Sequence, residues 1–267
     1  MVSTVSILMM FISLAAGIVL PLALFLFLRK KFKASPSVFL MGCVTWALFA
    51  VVLEGIFHRL ILGSPLGAVI QGTTLYYAIY GGLAAGLFEE TGRYLIGKRL
   101  FKKGISDDAN ALMFGAGHGG LEAFYILVFG MISNLAVAFM INGGQSEVLL
   151  AGQPEEYASV LRSSFDALIN TAPYMFLLGI IERIGAMALH VAFSVVVWFG
   201  IKNNKIGYYI LAILMHAFVD AITVILAGAM GPELIEVILY IIAAVYLYTA
   251  WLIYKKEHVE EKEAAEV

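Results

Sequence analysis

Seven apolar runs, each long enough to cross the hydrocarbon of a bilayer, leave this chain little choice of architecture. They fall near residues 4–28, 37–62, 67–97, 108–140, 174–201, 206–229 and 233–254. A helix rises about 1.5 Å per residue, so about 20 residues span roughly 30 Å of lipid. The expected fold class is all-α: a polytopic membrane helix bundle of about seven transmembrane helices, forming one domain over residues 1–256 with a charged tail at 257–267. Composition agrees, since 61% of the residues are hydrophobic and the mean hydropathy is +0.92, far above what a water-facing surface tolerates. The first run has no Lys or Arg before it and so lacks the charged start of a cleaved signal peptide. It is expected to be retained.

The charges between the runs set the orientation. Arg29, Lys30, Lys31 and Lys33 follow the first run, Lys98, Arg99, Lys102 and Lys103 the third, Lys202 and Lys205 the fifth, and Lys255 and Lys256 the seventh. If every run crosses once, all of these clusters share one face, which positive-inside bias makes the cytoplasmic one. The N-terminus is then outside and the C-terminus cytoplasmic, in a bacterial or archaeal cell membrane. With 17 Lys and Arg against 19 Asp and Glu, the net charge of -2 offers no basic surface to nucleic acid. The single cysteine, Cys43, excludes an internal disulfide framework and a cysteine-based metal site.

One long external connection runs from Asn142 to Thr171. Pro154 at a first helical position, with Glu155 and Glu156 behind it, predicts a helix there. Tyr157, Val160, Leu161, Phe165, Leu168 and Ile169 recur at helical spacing against Arg162, Ser163 and Asp166, the pattern of a helix lying in the interface or packed on the bundle. The tail after Lys255 is expected to be solvated and frayed.

Ionisable residues inside the runs carry the functional argument, because a charge in lipid costs a few kcal/mol or more unless it meets a partner or a wet cavity. Glu89 lies nine residues before Lys98, His190 twelve before Lys202, His118 about ten into the fourth run, and His216 eleven after Lys205. Each is therefore roughly 13 to 18 Å from the cytoplasmic boundary, so four runs place these groups in one layer. His118 and Glu122, His216 and Asp220, and Glu89 and Arg93 are i, i+4 pairs, each projecting from one side of its helix. Gly82 and Gly86 line up with Glu90, and Gly115 and Gly119 flank His118, which predicts close helix approach on the same faces. Glu182 and Arg183 sit near the external end of the fifth run as a local ion pair or interface anchor, and Glu54, His58 and Arg59 read as structural.

The motifs are FEETGR at Phe88 to Arg93, FGAGHGGLE at Phe114 to Glu122 and HAFVD at His216 to Asp220. Together they resemble the glutamate-dependent intramembrane proteases of the CAAX-protease and bacteriocin-processing superfamily, the YhfC-type membrane peptidases first and the PrsW-type proteases next. The PrsW-type pattern EExxK, HxxxE, HxxxD maps onto Glu89, Glu90 and Arg93, then His118 and Glu122, then His216 and Asp220. In the CAAX proteases proper the arginine falls one position later, so the resemblance leaves open which glutamate is the base. His190 resembles a feature of the YhfC-type branch.

The resemblance implies an intramembrane endopeptidase with a core over residues 67–229, hydrolysing a membrane-associated protein or peptide with an activated water. Glu89 with Glu90 would serve as base and orienting partner, His118 would hold the water, His216 and Asp220 would support the oxyanion, and Arg93 would supply countercharge. Two mechanisms follow from it. CAAX-type enzymes work through glutamate, whereas the YhfC-type name presumes a metal. No HExxH spacing is present, so no cofactor is favoured and activity is expected to survive chelation, with zinc on His118, His190 and His216 as the alternative. A proton-coupled transporter is the runner-up, because mid-membrane Glu, His and Asp also build proton relays, but no inverted repeat is evident. A non-catalytic scaffold or resistance protein on the same fold is the third reading.

Overall fold

Proline and hydroxyl residues mark the helix starts. Pro36, Pro65, Pro173 and Pro232 each open a helix, where a missing N–H costs nothing. Thr73 accepts a bond from the Tyr76 N–H at 3.1 Å and caps another. The computed structural model describes residues 1–265, with side chains as far as Glu257. In chain order the helices are α1 (Thr4–Phe32), α2 (Pro36–Leu62), α3 (Pro65–Gln71), α4 (Thr74–Lys102), α5 (Ala109–Asn142), α6 (Ser146–Leu150), α7 (Glu155–Asn170), α8 (Pro173–Lys202), α9 (Ile206–Ala227) and α10 (Pro232–Ala265). There is no strand among the described residues. The fold is an all-α polytopic membrane bundle.

Among the described residues, six helices are both long and apolar enough to cross a membrane: α1, α2, α5, α8, α9 and α10. At 29 residues α4 has the length, but it carries Glu89, Glu90 and Arg93. Large side chains such as Leu40, Leu60, Val69, Leu214 and Ile241 remain exposed, an arrangement suited to lipid rather than water. Two helices locally unwind into wider π turns, α2 at Ala47–Glu54 and α5 at Tyr125–Phe129.

The chain divides into two compact units. The smaller comprises Met1–Leu20 and Ala123–Ile184; the larger takes Pro21–Glu122 and the chain from Gly185 on. In the smaller unit Val2, Met10, Leu135, Ala138, Leu168 and Phe176 form the core. There α7 buries Ala158, Phe165 and Leu168 and leaves Tyr157 and Val160 exposed, so only part of its expected apolar face packs inward. Pro154 is the residue before that helix rather than its first member.

In the larger unit α8 is central from Gly185 onward, with Met187, Leu189, Ala192, Phe193 and 195–199 all buried. Lipid is as apolar as leucine, so close packing rather than expulsion from water must hold helices together here. Glycines supply it. A Cβ on Gly82 would meet the Ala217 carbonyl oxygen at 2.3 Å and one on Gly86 that of Ile213 at 2.7 Å, so α4 and α9 touch backbone to backbone. Gly115 does the same for α5 against α8, where a Cβ would lie 2.6 Å from Val191 Cα.

The C-terminal segment differs from a frayed tail, because α10 runs unbroken to Ala265. Glu257 is buried and accepts bonds from Lys205 Nζ at 2.9 and 2.8 Å, Asn203 Nδ2 at 2.6 Å and the Tyr208 hydroxyl at 2.7 Å. Those four bonds clamp the end of α10 to the α8–α9 turn. Of the expected tail 257–267, residues 266 and 267 lie outside the described residues.

Candidate active site

The α4–α9 contact sets His216 against the two glutamates of α4. Its Nδ1 donates to Glu90 Oε1 at 2.7 Å, while its Nε2 lies 4.0 Å from Glu89 Oε2 and 3.6 Å from Asp220 Oδ2. The α5–α8 contact does the same for a second pair of imidazoles, placing the His118 and His190 rings 4.9 Å apart. His118 Nε2 donates to Glu89 Oε2 at 2.8 Å. All of these residues lie in the larger unit.

Arg93 ties the two halves together. Its Nη2 donates to His190 Nδ1 at 2.6 Å and stands 3.6 Å from Glu89 Oε2, while its Nε stands 3.4 Å from Glu90 Oε2. A guanidinium has no acceptor, so this bond fixes the His190 tautomer: Nδ1 is bare and Nε2 carries the proton it offers to Glu122 Oε2. Glu122 therefore serves His190 on the neighbouring helix rather than His118 on its own.

Exposure sorts the groups further. Glu90, Arg93 and His118 are 0%, 2% and 0% exposed, and Glu89, His190 and His216 only slightly more. The Asp220 side chain is 41% exposed and forms the rim. Sequence reasoning placed Glu89, His118, His190 and His216 in one layer; the structure joins these four with Glu90, Arg93, Glu122 and Asp220 in one network. Sequence reasoning passed over Phe193, which stacks on His216 with ring centroids 4.8 Å apart and lies 5.8 Å from the Arg93 guanidinium. The signal was available, since Phe193 follows His190 by three residues and so shares its face.

Of the other ionisable residues of the spans, buried Glu54 lies close enough to interact electrostatically with His216 and Asp220. Glu182 and Arg183 pair with each other. His58 bonds Glu54 at 3.0 Å and the Tyr80 hydroxyl at 2.8 Å, and Arg59 is exposed.

Glu89, His118 and His190 each offer a ligand atom, all within 4.8 Å of one another, so they could hold a metal ion. Two imidazoles and a carboxylate are a donor set that suits zinc. The charge balance fits as well, because the Arg93 guanidinium stands beside both Glu89 and Glu90, and buried negative charge in excess is costly. Glu90 Oε2, Arg93 Nε and Nη1 and His118 Nδ1 are buried without a hydrogen-bond partner, which marks a polar cluster whose coordination a water or an ion completes. His216 stays outside that trio, its Nδ1 committed to Glu90.

The chain resembles known proteins over most of its length. The family model described as YhfC intramembrane metalloprotease matches residues 16–247. The uncharacterized membrane protein YhfC of Bacillus subtilis is 36% identical over 259 residues, 96% of this chain and 98% of its own length. No solved structure matches the chain. Apolar helices, a buried Glu–His network and a match over most of its length together place the chain in the YhfC intramembrane metalloprotease family, as an integral multi-pass membrane protein.

Proposed function

We propose that the chain is a metal-dependent intramembrane endopeptidase that hydrolyses a peptide bond of a membrane-associated substrate in the Glu89–His118–His190–His216 cluster. The observation that carries the reading is the buried network joining four helices around Glu89. Glu89, His118 and His190 would hold the ion, which when bound makes water a stronger acid and polarises the scissile carbonyl.

The remaining groups divide by which atoms are already committed. Glu90 has one oxygen on His216 and the other beside Arg93, so it orients rather than reacts. By holding the Nδ1 proton it presents the bare His216 Nε2 toward Glu89, where that nitrogen takes a proton from the attacking water and returns it to the leaving amine. Asp220, at the rim, supports the imidazolium formed in between. Arg93 and Glu122 hold His190 from its two nitrogens. On this reading α4 crosses the membrane as the seventh span, its charges paired inside the larger unit, with the basic clusters on the cytoplasmic face.

One observation favours a metal-free alternative: Arg93 and Glu122 engage both nitrogens of His190, leaving no lone pair for a ligand until one partner moves. Glu89 would then be the general base. Purified protein incubated with a panel of single-span substrates, read by mass spectrometry, tests the activity itself. Cleavage by the parent and none by a folded Glu89→Gln variant is expected. Absence of cleavage across the panel together with proton-coupled uptake into vesicles would replace this reading with transport.

A further inference from the structure

Two buried polar groups of α8 lie outside the catalytic network. Ser194 is 3% and Trp198 2% exposed, and neither the serine Oγ nor the indole Nε1 has a hydrogen-bond partner. The serine departs from its neighbours in this. Hydroxyls inside these helices otherwise bond the carbonyl one turn back, as Thr45 does to Met41 at 2.6 Å and Thr223 to Val219 at 2.7 Å. Ser194 makes no such bond, so its hydroxyl is left for a partner off its own helix.

The facing helix leaves room there. On either side of Ser194, α4 reaches α8 through the Arg93–His190 bond at 2.6 Å and through the rings of Phe101 and Trp198, whose centroids lie 4.8 Å apart. Between those contacts α4 has the buried Gly97, where a Cβ would meet only the flexible tip of Ile201, at 2.5 Å, and no atom of Ser194 within 4 Å. At the inner end Arg93 Nη1 is buried and unpartnered as well, while Nη2 holds His190 one turn from Ser194. His190, Ser194 and Trp198 recur every four residues, so successive groups share one face of α8 and stand about 6 Å apart along its axis. Two hydrogen bonds of about 2.8 Å cover that gap through one water. An anion would suit the donors but not the charge, since Arg93 already stands beside Glu89 and Glu90.

We infer that the seam between α4 and α8 at Gly97 is a water-binding site, one water bridging Arg93 Nη1 to Ser194 Oγ and the next bridging Ser194 Oγ to Trp198 Nε1, and that this file resupplies the water each hydrolysis consumes. Arginine and indole N–H groups only donate, the serine hydroxyl donates and accepts, and water does both, so the file satisfies all three groups. Each would otherwise cost the free energy of a buried, unpaired polar group. Buried waters of this kind are part of a fold and make about three hydrogen bonds each. The supply role rests on the hydrolytic reading; the waters themselves do not.

The test is X-ray radiolytic footprinting of the full chain in detergent, read by mass spectrometry, in ordinary water and after brief mixing with water enriched in oxygen-18. Radicals formed at a buried water oxidise the side chain beside it, so Trp198 should gain oxygen although it is almost fully buried. Oxygen-18 should appear in that product. Ser194→Val removes the bridging hydroxyl and fills the seam, so Trp198 should lose its oxidation. The same variant should cleave with kcat about ten-fold lower at unchanged KM, from the loss of one water bond to Arg93. An unmodified Trp198 in the parent chain, or oxidation undiminished in folded Ser194→Val, overturns the waters. Oxidation that carries no oxygen-18 makes them sealed and overturns the supply role. Oxidation with oxygen-18 in a chain that cleaves no substrate supports the waters and counts against the hydrolytic reading instead. If Ser194→Val fails to fold, the two labels on the parent chain still decide.

Discussion

His216 donates from Nδ1 to Glu90 at 2.7 Å, and that bond aims its Nε2 at Glu89 and Asp220. Glu90 has no exposed surface, so its influence on the reaction must pass through the imidazole and Arg93. A carboxylate behind a catalytic histidine sets both tautomer and orientation. Glu90→Gln keeps the volume but can present an amide N–H where the imidazole proton should be accepted. The cleavage rate should fall by about a hundred- to ten-thousand-fold. Arg93 would also lose part of its compensation, and breaking a buried pair costs up to about 3–5 kcal/mol, so a lower melting temperature is expected. Undiminished proteolysis by a folded Glu90→Gln protein would contradict the orienting role.

The metal assignment separates His216 from the other two histidines. Elemental analysis of the purified chain should find one zinc, removed by chelation together with activity and restored with it. His118→Ala and Glu89→Gln should lose the ion. His216→Ala should keep it and still fail to cleave, because the ligand trio does not include His216, whose bare Nε2 serves proton transfer instead. Activity that survives exhaustive chelation in zinc-free protein would sink the metal reading and make Glu89 the base.

Adjacent glycines on α4 give a test of how the site is positioned. Gly82 faces α9 at a distance that excludes a Cβ, whereas Gly81 has nothing within 4 Å of the position a Cβ would take. Gly82→Ala should push α4 from α9, costing about 1–3 kcal/mol by overpacking and displacing His216 from the glutamates. Gly81→Ala should be neutral or stabilising by up to about 1 kcal/mol, as in an exposed helix interior. Melting temperature and cleavage rate measured on both variants check this, and similar behaviour of the two would show that backbone contact does not set the site.

The apolar runs were enough to read the long helices, because lipid forces hydrogen bonds to close within each segment, although the third run, expected over 67–97, breaks into α3 and α4 at Gly72 and Thr73. Depth counting put Glu89, His118, His190 and His216 in one layer for the same reason: rise per residue is fixed. Pairing was legible in part. Glu89–Arg93 and His216–Asp220 meet at 3.6 Å as their spacing offers, whereas Glu122 serves His190 rather than His118 and Arg93 also reaches across 97 positions to the same ring. Those choices depend on which helices are neighbours, and only the glycine contacts hint at that. The π turns at Ala47–Glu54 and Tyr125–Phe129 also escaped, since nothing in an apolar run marks a widened turn.

The last prediction concerns α4, whose composition alone would keep it out of the membrane. A charge at mid-span costs about 2.5–3.5 kcal/mol on insertion scales, and α4 holds Glu89, Glu90 and Arg93 close together. In the larger unit those charges face one another and the histidines, so the cost of crossing falls to that of a paired network. If α4 crosses, Lys33, Lys103 and Lys256 all lie on one face. If it does not, every later segment inverts, leaving Lys33 on the face opposite Lys103 and Lys256. Reporter fusions ending after each of these three residues distinguish the cases without any assay of activity. Cytoplasmic signals from all three are expected, whereas a cytoplasmic signal at Lys33 with external signals at Lys103 and Lys256 would show that α4 stays on one side and that seven spans is wrong.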